Sequence, residues 1–268
     1  MVLLHGLCLT ADVNWSSSMV PLGRHFRVVA FDQRGHGRGV RTRSSSPLED
    51  WADDVAALID VLRIDRVIVA GYSLGGVVAQ LVWRRHPEIV QGLVLCATGC
   101  DFRRPLAEQL IFVTMCGATS IFQSLSHTSL GQDMVGAWLL GRIPDPSLKE
   151  WVTSEIRRTD LATVTAAGLA LAEFSSAAWI REVPVPVAVV VSTADRVVPV
   201  SRQLELARLI PGATVHNVDG DHAVFLTRPE SLVRALVDAC LAVGGRGRVQ
   251  EQRALEAKPG VRPARALP

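Results

Sequence analysis

A serine flanked by glycines lies between a predicted strand and a predicted helix. The segment Gly71-Tyr72-Ser73-Leu74-Gly75 follows the β-branched run at 67–70 and precedes an amphipathic stretch. A serine on so sharp a turn has strained backbone angles, and a glycine two residues to either side leaves room for the neighbouring strand and helix. The helix dipole also favours negative charge at the turn. The pattern indicates a nucleophilic Ser73, the alternative being an ordinary serine at a glycine-rich helix start.

A nucleophilic serine needs a base, and the base needs an acid that orients it. The chain has histidines at positions 5, 25, 36, 86, 127, 216 and 222. His222 follows the last predicted strand, and Asp195 follows the strand predicted at 187–191. Because the carboxyl ends of parallel strands meet at one edge of a sheet, we expect Ser73, Asp195 and His222 to converge there. Other candidates for the acid are Asp101, which follows the strand predicted at 93–97, and, with less support, Asp219 and Asp221.

Short β-branched runs alternate along the chain with longer amphipathic stretches, which is typical of a parallel sheet covered by helices. Buried strands are predicted at 27–31, 67–70, 93–97, 187–191 and 214–218. Helices are predicted at 74–85 and 200–210. Two more begin with capping boxes, Ser46-Pro-Leu-Glu49 and Thr227-Arg-Pro-Glu230, and run to about 62 and 241. The sequence thus predicts an α/β fold with a doubly wound, mostly parallel sheet.

One region breaks this alternation. Residues 99–182 contain no strand-like run and only helical patterns, such as the one at 161–174. We expect this insertion to form a helical cap over a core made of residues 1–98 and 183–243. Its large apolar residues could line a substrate pocket or dock the cap helices on the sheet, and for any one of them docking is favoured. They are Phe112, Met115, Ile121, Phe122, Met134, Trp138, Leu139 and Trp151.

Composition narrows the class of protein. The 268 residues are 49% hydrophobic and 20% charged, with a mean hydropathy of +0.26, which excludes an intrinsically disordered chain. The net charge is +2, and residues 244–268 carry six basic and two acidic side chains, which predicts a disordered basic tail. The nearly neutral remainder argues against nucleic-acid binding.

The sequence predicts no secretion signal, no membrane-spanning segment and no metal site. No run of about 18 apolar residues is uninterrupted, and no signal peptide precedes the first strand, so we expect a cytoplasmic protein without a membrane span. The five cysteines include no Cys-x-x-Cys pair and predict neither a disulfide framework nor a zinc site. We expect no metal and no cofactor.

These motifs together resemble those of the α/β-hydrolase family, over about residues 2–241. The turn at Gly71–Gly75 corresponds to the nucleophile elbow of that family. The likeness also includes His5-Gly6 after the first strand, Asp32-Gln-Arg-Gly35-His36-Gly37 after the second, and the loops of Asp195 and His222. His5 and His36 are then expected to be structural. Members usually carry two further strands before the His-Gly strand, which here starts at the first residue and is expected to span only about 2–4. We expect the true start to lie upstream, the alternative being a shortened, less stable member whose edge strand is 27–31.

The resemblance implies a capped serine esterase or lipase that uses Ser73, His222 and Asp195 and forms an acyl-enzyme. Leu7 and Leu74 would supply the two backbone N–H groups of an oxyanion hole. The elbow serine sets the chain apart from haloalkane dehalogenases and most epoxide hydrolases of this fold, which carry aspartate there. The apolar cap suggests a hydrophobic small-molecule ester, lipid-like or aromatic. Alternatives are a thioesterase or carbon–carbon bond hydrolase on the same triad, a ligand-binding member without turnover, and an inactive copy.

Overall fold

A parallel sheet forms the centre of the structure, a computed structural model that describes residues 1–41, 46–103 and 141–256. Six strands of these residues lie in the order β2-β1-β3-β4-β5-β6, each parallel to its neighbours. Their bounds are Val2–Leu4 (β1), Val29–Ala30 (β2), Val67–Tyr72 (β3), Val90–Cys96 (β4), Val187–Ser192 (β5) and Thr214–Val218 (β6). The predicted α/β fold with a doubly wound, mostly parallel sheet is confirmed.

Helices cover both faces of this sheet. They are Ala11–Gly23 (α1), Leu48–Val61 (α2), Leu74–Arg85 (α3), Pro146–Ile156 (α4), Leu161–Glu173 (α5), Val200–Leu209 (α6), Val224–Thr227 (α7) and Pro229–Glu256 (α8). Short 3-10 turns at Pro87–Ile89 and Ile180–Glu182 lie ahead of β4 and β5.

Side chains of the strands alternate between two apolar cores, one on each face of the sheet. In β1, Val2 and Leu4 pack in the core that contains the apolar residues of α2 and α3, whereas Leu3 packs in the core of α1 and α8. Because both faces are covered, every residue of β3 and β5 is buried. Burial on both faces explains why the valine-rich runs of β3 and β5 predicted strands well. The edge strands β2 and β6, also predicted as buried, are partly exposed because each has a neighbour among the described strands on one side only.

The ends of some elements differ from the prediction. The edge strand β2 is Val29–Ala30 rather than 27–31, because its neighbour β1 is itself only three residues long. Ser46 does not cap α2: its hydroxyl has no hydrogen-bond partner in the described ranges, and Pro47 occupies the N-cap position. Thr227 does not cap α8 either, since its hydroxyl donates to the carbonyl of Ala223 (3.2 Å).

Helix α8 continues well past its predicted end near 241. It runs to Glu256, so residues 244–256, predicted as part of a disordered tail, are helical in the structure. Glycines at 244, 245 and 247 favoured a helix end, but the lack of a side chain at 244 lets α8 pack closely there. Val243 is fully buried, and a Cβ on Gly244 would lie 3.2 Å from the ring of Phe26. The remainder of the predicted tail, 257–268, lies outside the described residues.

Two parts of the insertion are described, 99–103 and 141–182. Its two ends lie side by side, since the N–H of Ser176 donates to the carbonyl of Cys100 (2.7 Å) and the N–H of Phe102 to that of Phe174 (3.0 Å). The described remainder is helical in α4 and α5, as expected for this region.

Among the apolar residues considered for a substrate pocket, Trp151 lies in α4. It is partly buried and packs against the core that includes Val152 and Ile156, which is a docking role. The other residues considered for the pocket lie outside the described residues; they are Phe112, Met115, Ile121, Phe122, Met134, Trp138 and Leu139.

No helix in ranges 1–41, 46–103 and 141–256 is long and apolar enough to cross a membrane.

Candidate active site

Ser73 lies on the turn between β3 and α3, at the carboxyl edge of the sheet. Its φ is 53°, a left-handed conformation that is strained for a residue with a side chain. The turn is so tight that a Cβ on Gly71 would overlap the carbonyl of Gly75, and a Cβ on Gly75 would overlap the carbonyl of Leu4 in β1. The backbone therefore requires both glycines of the motif. The N–H of Ser73 donates to the carbonyl of Cys96 in β4 (2.9 Å), which fixes the turn to the sheet.

The structure brings Ser73, His222 and Asp195 together from the ends of three strands. Nε2 of His222 lies 3.0 Å from Oγ of Ser73, and Nδ1 lies 2.7 Å from Oδ2 of Asp195. With its Nδ1 proton held by the carboxylate, the neutral imidazole presents Nε2 as an acceptor to the serine hydroxyl. The Asp195 side chain is fully buried, whereas that of His222 is 12% exposed. This geometry meets the requirement for a nucleophile, a base and an acid that orients the base.

The carboxylate of Asp195 has partners besides His222. Its Oδ1 accepts the N–H groups of Val197 (2.8 Å) and Val198 (2.9 Å), and its Oδ2 also accepts from Nε2 of Gln203 (3.1 Å). These hydrogen bonds stabilise a charge that would otherwise be costly to bury. They also keep the carboxylate aimed at the imidazole.

Sequence reasoning missed Gln203, a fully buried residue of α6. Besides Asp195, its amide donates to the carbonyl of Val198 (2.8 Å) and accepts from the N–H of Ser192 (3.1 Å). A glutamine on an amphipathic helix ordinarily indicates a solvated face, so the residue type did not indicate burial or a contact with the acid. The one available signal was its place on the helix that directly follows the loop of the acid.

The other candidate acids have partners of their own. Among the described residues none of their carboxylates forms a hydrogen bond or ion pair with His222. The guanidinium of Arg103 lowers the pKa of Asp101. The partners are Arg103 for Asp101 (2.6 Å), Arg228 for Asp219, and Arg142 for Asp221 (2.9 Å).

The backbone N–H groups of Leu7 and Leu74 donate to no acceptor in the part of the chain that the structure describes. Leu74 is the first residue of α3, whose N-terminal N–H groups have no partner within the helix. Leu7 lies in a tight turn in which the N–H of Leu9 donates to the carbonyl of Gly6 (3.3 Å). A Cβ on Gly6 would lie 3.5 Å from the Cβ of Ser73, so this turn contacts the nucleophile.

Two buried histidines, His5 and His36, support this turn. Nε2 of His36 accepts the N–H of Cys8 (3.1 Å), and Nε2 of His5 accepts the N–H of Gln33 (2.9 Å). Because each Nε2 accepts, each Nδ1 carries the proton and donates to a backbone carbonyl, at 2.8 Å in His5 and 3.1 Å in His36. Burial lowers the pKa of His5 to about 4 and that of His36 to about 3. Both imidazoles are therefore neutral at pH 7.

A second residue that sequence reasoning missed, Asn14 of α1, supports the same turn. Its Oδ1 accepts the N–H of Gly6 (2.8 Å), so the loop after β1 is held from a helix as well as from the two histidines. An asparagine near a helix start ordinarily indicates a cap or a solvated position, and no motif singled it out.

The remaining histidines have other contacts. The ring of His25 packs against Phe26, Nε2 of His86 lies 2.7 Å from Oδ1 of Asp53, and Nε2 of His216 lies 3.2 Å from the hydroxyl of Thr214. His127 lies outside the described residues. Within the described ranges, no group of three or more His, Cys, Asp or Glu side chains is placed to hold a metal ion.

Comparisons with known proteins extend over most of the chain. A family model described as "Alpha/beta hydrolase family" matches residues 1–235. The pimeloyl-(acyl-carrier protein) methyl ester esterase of Aromatoleum aromaticum is 29% identical over 250 residues, which cover 89% of this chain and 96% of that protein. The 2-(acetamidomethylene)succinate hydrolase of Mesorhizobium japonicum is 26% identical over 252 residues, covering 89% and 86%. The solved enol-lactonase of Burkholderia xenovorans LB400 has a TM-score of 0.77 at 23% identity, covers 89% of this chain and 90% of that chain, and shares the fold.

Proposed function

Because the chain belongs to the alpha/beta hydrolase family, we propose that this hydrolase cleaves carboxylic esters with Ser73 as nucleophile, His222 as base and Asp195 as the orienting acid. The observation that carries the proposal is the His222 imidazole, 3.0 Å from the Ser73 hydroxyl on one side and 2.7 Å from the Asp195 carboxylate on the other. A relative 29% identical to this chain is named a methyl ester esterase, which supports an ester among the acyl substrates.

The first half-reaction transfers the acyl group to Ser73. Its oxygen attacks the carbonyl carbon of the ester while Nε2 of His222 takes the hydroxyl proton. The resulting imidazolium is stabilised by the buried carboxylate of Asp195 and then gives its proton to the leaving alkoxide, so the alcohol departs neutral. Proton transfer by a positioned base of this kind contributes about 10²–10⁴-fold to the rate.

Negative charge on the carbonyl oxygen is stabilised by the N–H groups of Leu7 and Leu74. Each such donor contributes about 3–4 kcal/mol where mutagenesis has measured it. The neutral histidines His5 and His36 hold the first of these two segments in place before substrate arrives, so little reorganisation is needed in the reaction. Because both donors are backbone groups, the side chains are free to serve other purposes. That of Leu74 is fully buried in the core, whereas that of Leu7 is only partly buried and can face an apolar acyl chain.

The second half-reaction releases the acid. A water molecule gives a proton to Nε2 of His222 and attacks the acyl-enzyme carbonyl. The tetrahedral intermediate then collapses, the bond to the Ser73 oxygen breaks, and the imidazolium returns its proton to that oxygen. The catalytic residues thus end as they began.

An uncharged, apolar ester suits the surroundings of His222. The acidic neighbour Asp221 is paired with Arg142 of the insertion at 2.9 Å. Because these two charges offset each other, neither sign of substrate charge is favoured there. The partly buried side chain of Leu7, in the turn that contacts Ser73, adds apolar surface to the site.

The test is hydrolysis of p-nitrophenyl acetate, butyrate and octanoate, with matched thioesters, by the wild type and Ser73→Ala. Ser154→Ala removes an exposed serine of α4 and serves as the matched control. We expect multiple turnovers of the esters, a loss of at least about 10⁴-fold in Ser73→Ala, and unchanged rates in the control. Turnover that survives in Ser73→Ala would contradict the proposal. Turnover of thioesters alone would favour a thioesterase on the same residues.

A further inference from the structure

Tyr72, the middle residue between Gly71 and Ser73 in the elbow, is buried at the end of β3 and is the one tyrosine in the sequence. Its ring contacts that of His222, with the centroids 5.6 Å apart. Phe225 and Trp15 pack edge-on against the same ring, at 5.3 Å and 6.1 Å. A side chain enclosed by three other rings has little freedom to move, so its hydroxyl occupies a fixed position.

That hydroxyl donates a hydrogen bond to the backbone carbonyl of His222 (2.9 Å), across a separation of 150 residues. Burial raises the pKa of Tyr72 well above its ordinary value, and a hydrogen bond from Ser192 opposes this only in part. The phenol therefore stays protonated and remains a donor. Within the described residues the carbonyl of His222 receives no other hydrogen bond.

The neighbouring carbonyl is held differently. The carbonyl of Ala223 accepts the N–H groups of Leu226 (2.9 Å) and Thr227 (3.0 Å), as well as the hydroxyl of Thr227. Loss of one hydroxyl leaves that carbonyl satisfied, whereas loss of the Tyr72 hydroxyl leaves the carbonyl of His222 without a described donor. The hydrogen bond from the Thr227 hydroxyl is therefore redundant, whereas the one from the Tyr72 hydroxyl is not.

From this contact we infer that Tyr72 is a positioning residue, whose hydroxyl fixes the backbone of His222 and thereby the 3.0 Å contact between His222 and Ser73. The inference rests on the function proposed above, in which His222 acts as base. Tyr72 adjoins the nucleophile in sequence and binds the residue that carries the base. One side chain therefore sets the distance between the two.

The test compares Tyr72→Phe, which removes only the phenolic oxygen, with Thr227→Val, which removes one hydroxyl from the neighbouring carbonyl. Measured are kcat and KM for p-nitrophenyl butyrate, the rate at which a fluorophosphonate modifies Ser73, and, by NMR, the solvent exchange of the Nδ1 proton of His222. For Tyr72→Phe we expect kcat and the modification rate to fall about tenfold, KM to stay within about twofold, and the Nδ1 proton to exchange about tenfold faster. Thr227→Val should match the wild type in all of these.

A conservative replacement gives a second control. Because the sequence contains a single tyrosine, 3-fluorotyrosine can be incorporated at position 72 alone. It keeps the hydroxyl, so exchange of the Nδ1 proton and kcat should stay within about twofold of the wild type. A tenfold loss in this protein would contradict the role assigned to the hydroxyl.

The two proposals fail in different ways. Wild-type rates in Tyr72→Phe, with unchanged exchange of the Nδ1 proton, would overturn the positioning role while leaving the esterase proposal intact. A wild type that neither hydrolyses esters nor reacts with the fluorophosphonate would overturn the proposed function. The exchange measurement, which needs no turnover, would still decide whether Tyr72 holds His222.

Discussion

Acidification from pH 6.5 to 4 should destabilise the protein strongly, because His5 and His36 are buried in the neutral form. In the unfolded chain both imidazoles titrate near pH 6.5. In the folded protein, burial lowers the pKa of His5 to about 4 and that of His36 to about 3. Below pH 6.5 the unfolded state therefore binds protons that the folded state does not. The stability associated with these groups is complete above about pH 6.5 and is lost as the pH falls.

The size of the effect follows from the number of protons. Each proton bound only by the unfolded state lowers the free energy of unfolding by about 1.4 kcal/mol per pH unit. Near pH 5 the two histidines together give a slope of about 2.5 kcal/mol per unit, and between pH 6.5 and 4 a loss of about 6 kcal/mol. That loss is comparable to the whole stability of an ordinary domain, about 5–15 kcal/mol. The pKa values of Asp53 and Asp101 are also lowered, so these carboxylates add a loss of the same sign, chiefly at the acid end of this range.

Protonation would also remove the contacts that hold the oxyanion-hole turn. Nε2 of His36 accepts the N–H of Cys8, and Nε2 of His5 accepts the N–H of Gln33. A proton on either nitrogen would face another N–H group at about 3 Å, which no relaxation of the ring alone relieves. Loss of stability and loss of the turn next to Leu7 therefore have the same cause.

The assay is urea unfolding of the wild type at pH 7, 6 and 5, followed by tryptophan fluorescence. His36→Gln should reduce the slope of unfolding free energy against pH to about half, while substitution of the exposed His25 by Gln should leave it as in the wild type. A wild-type slope of about 1.2 kcal/mol per unit or less between pH 6 and 5 would contradict this prediction, because at least one of the two imidazoles would then take up a proton as readily in the folded protein as in the unfolded chain.

Three further substitutions, the first of them with a matched control, probe the residues around the site. Gly75→Ala places a Cβ against a β1 carbonyl and should lower Tm by at least about 8 °C. The control Gly245→Ala, with open space around it, should leave Tm equal or higher, and equal Tm values for the two variants would contradict the steric account. Gln203→Met leaves its buried hydrogen-bonding partners unsatisfied, so we expect kcat to fall about tenfold and Tm to fall as well. An unchanged kcat would show that Asp195 needs no support from this glutamine. Arg142→Met breaks an ion pair with Asp221 in which each side chain is about a third exposed. Calorimetry should therefore show a change in Tm below about 3 °C, and a larger loss would show that the pair stabilises the fold.

The order of elements and the convergence of the site could be predicted because both depend on local pattern. Valine-rich runs buried on both faces have few alternatives to a parallel strand, and the strand ends fix where Ser73, Asp195 and His222 must lie. Gly71 and Gly75 could be predicted for the same reason, since the backbone conflict they relieve arises within a few residues or at the adjoining strand.

Contacts between distant segments could not be predicted. Gln203 and Asn14 act through partners on other elements, and neither residue type signals burial. The hydroxyl of Tyr72 reaches a carbonyl 150 residues away, which no spacing rule anticipates. Tertiary packing also outweighed local signals in α8, where glycine at 244 weakens the helix but allows it to lie against the sheet. The capping box at Ser46 failed because Pro47 itself occupies the N-cap position.

Reaction with a fluorophosphonate shows whether Ser73 is an activated nucleophile. Wild type, Ser73→Ala and the control Ser154→Ala are incubated with the probe at pH 7.5, and the modified peptide is identified by mass spectrometry. We expect the wild type and Ser154→Ala to carry one label on the peptide containing Ser73, and Ser73→Ala to carry none. A label that persists in Ser73→Ala, or a folded wild type that takes none, would contradict the proposed role of Ser73.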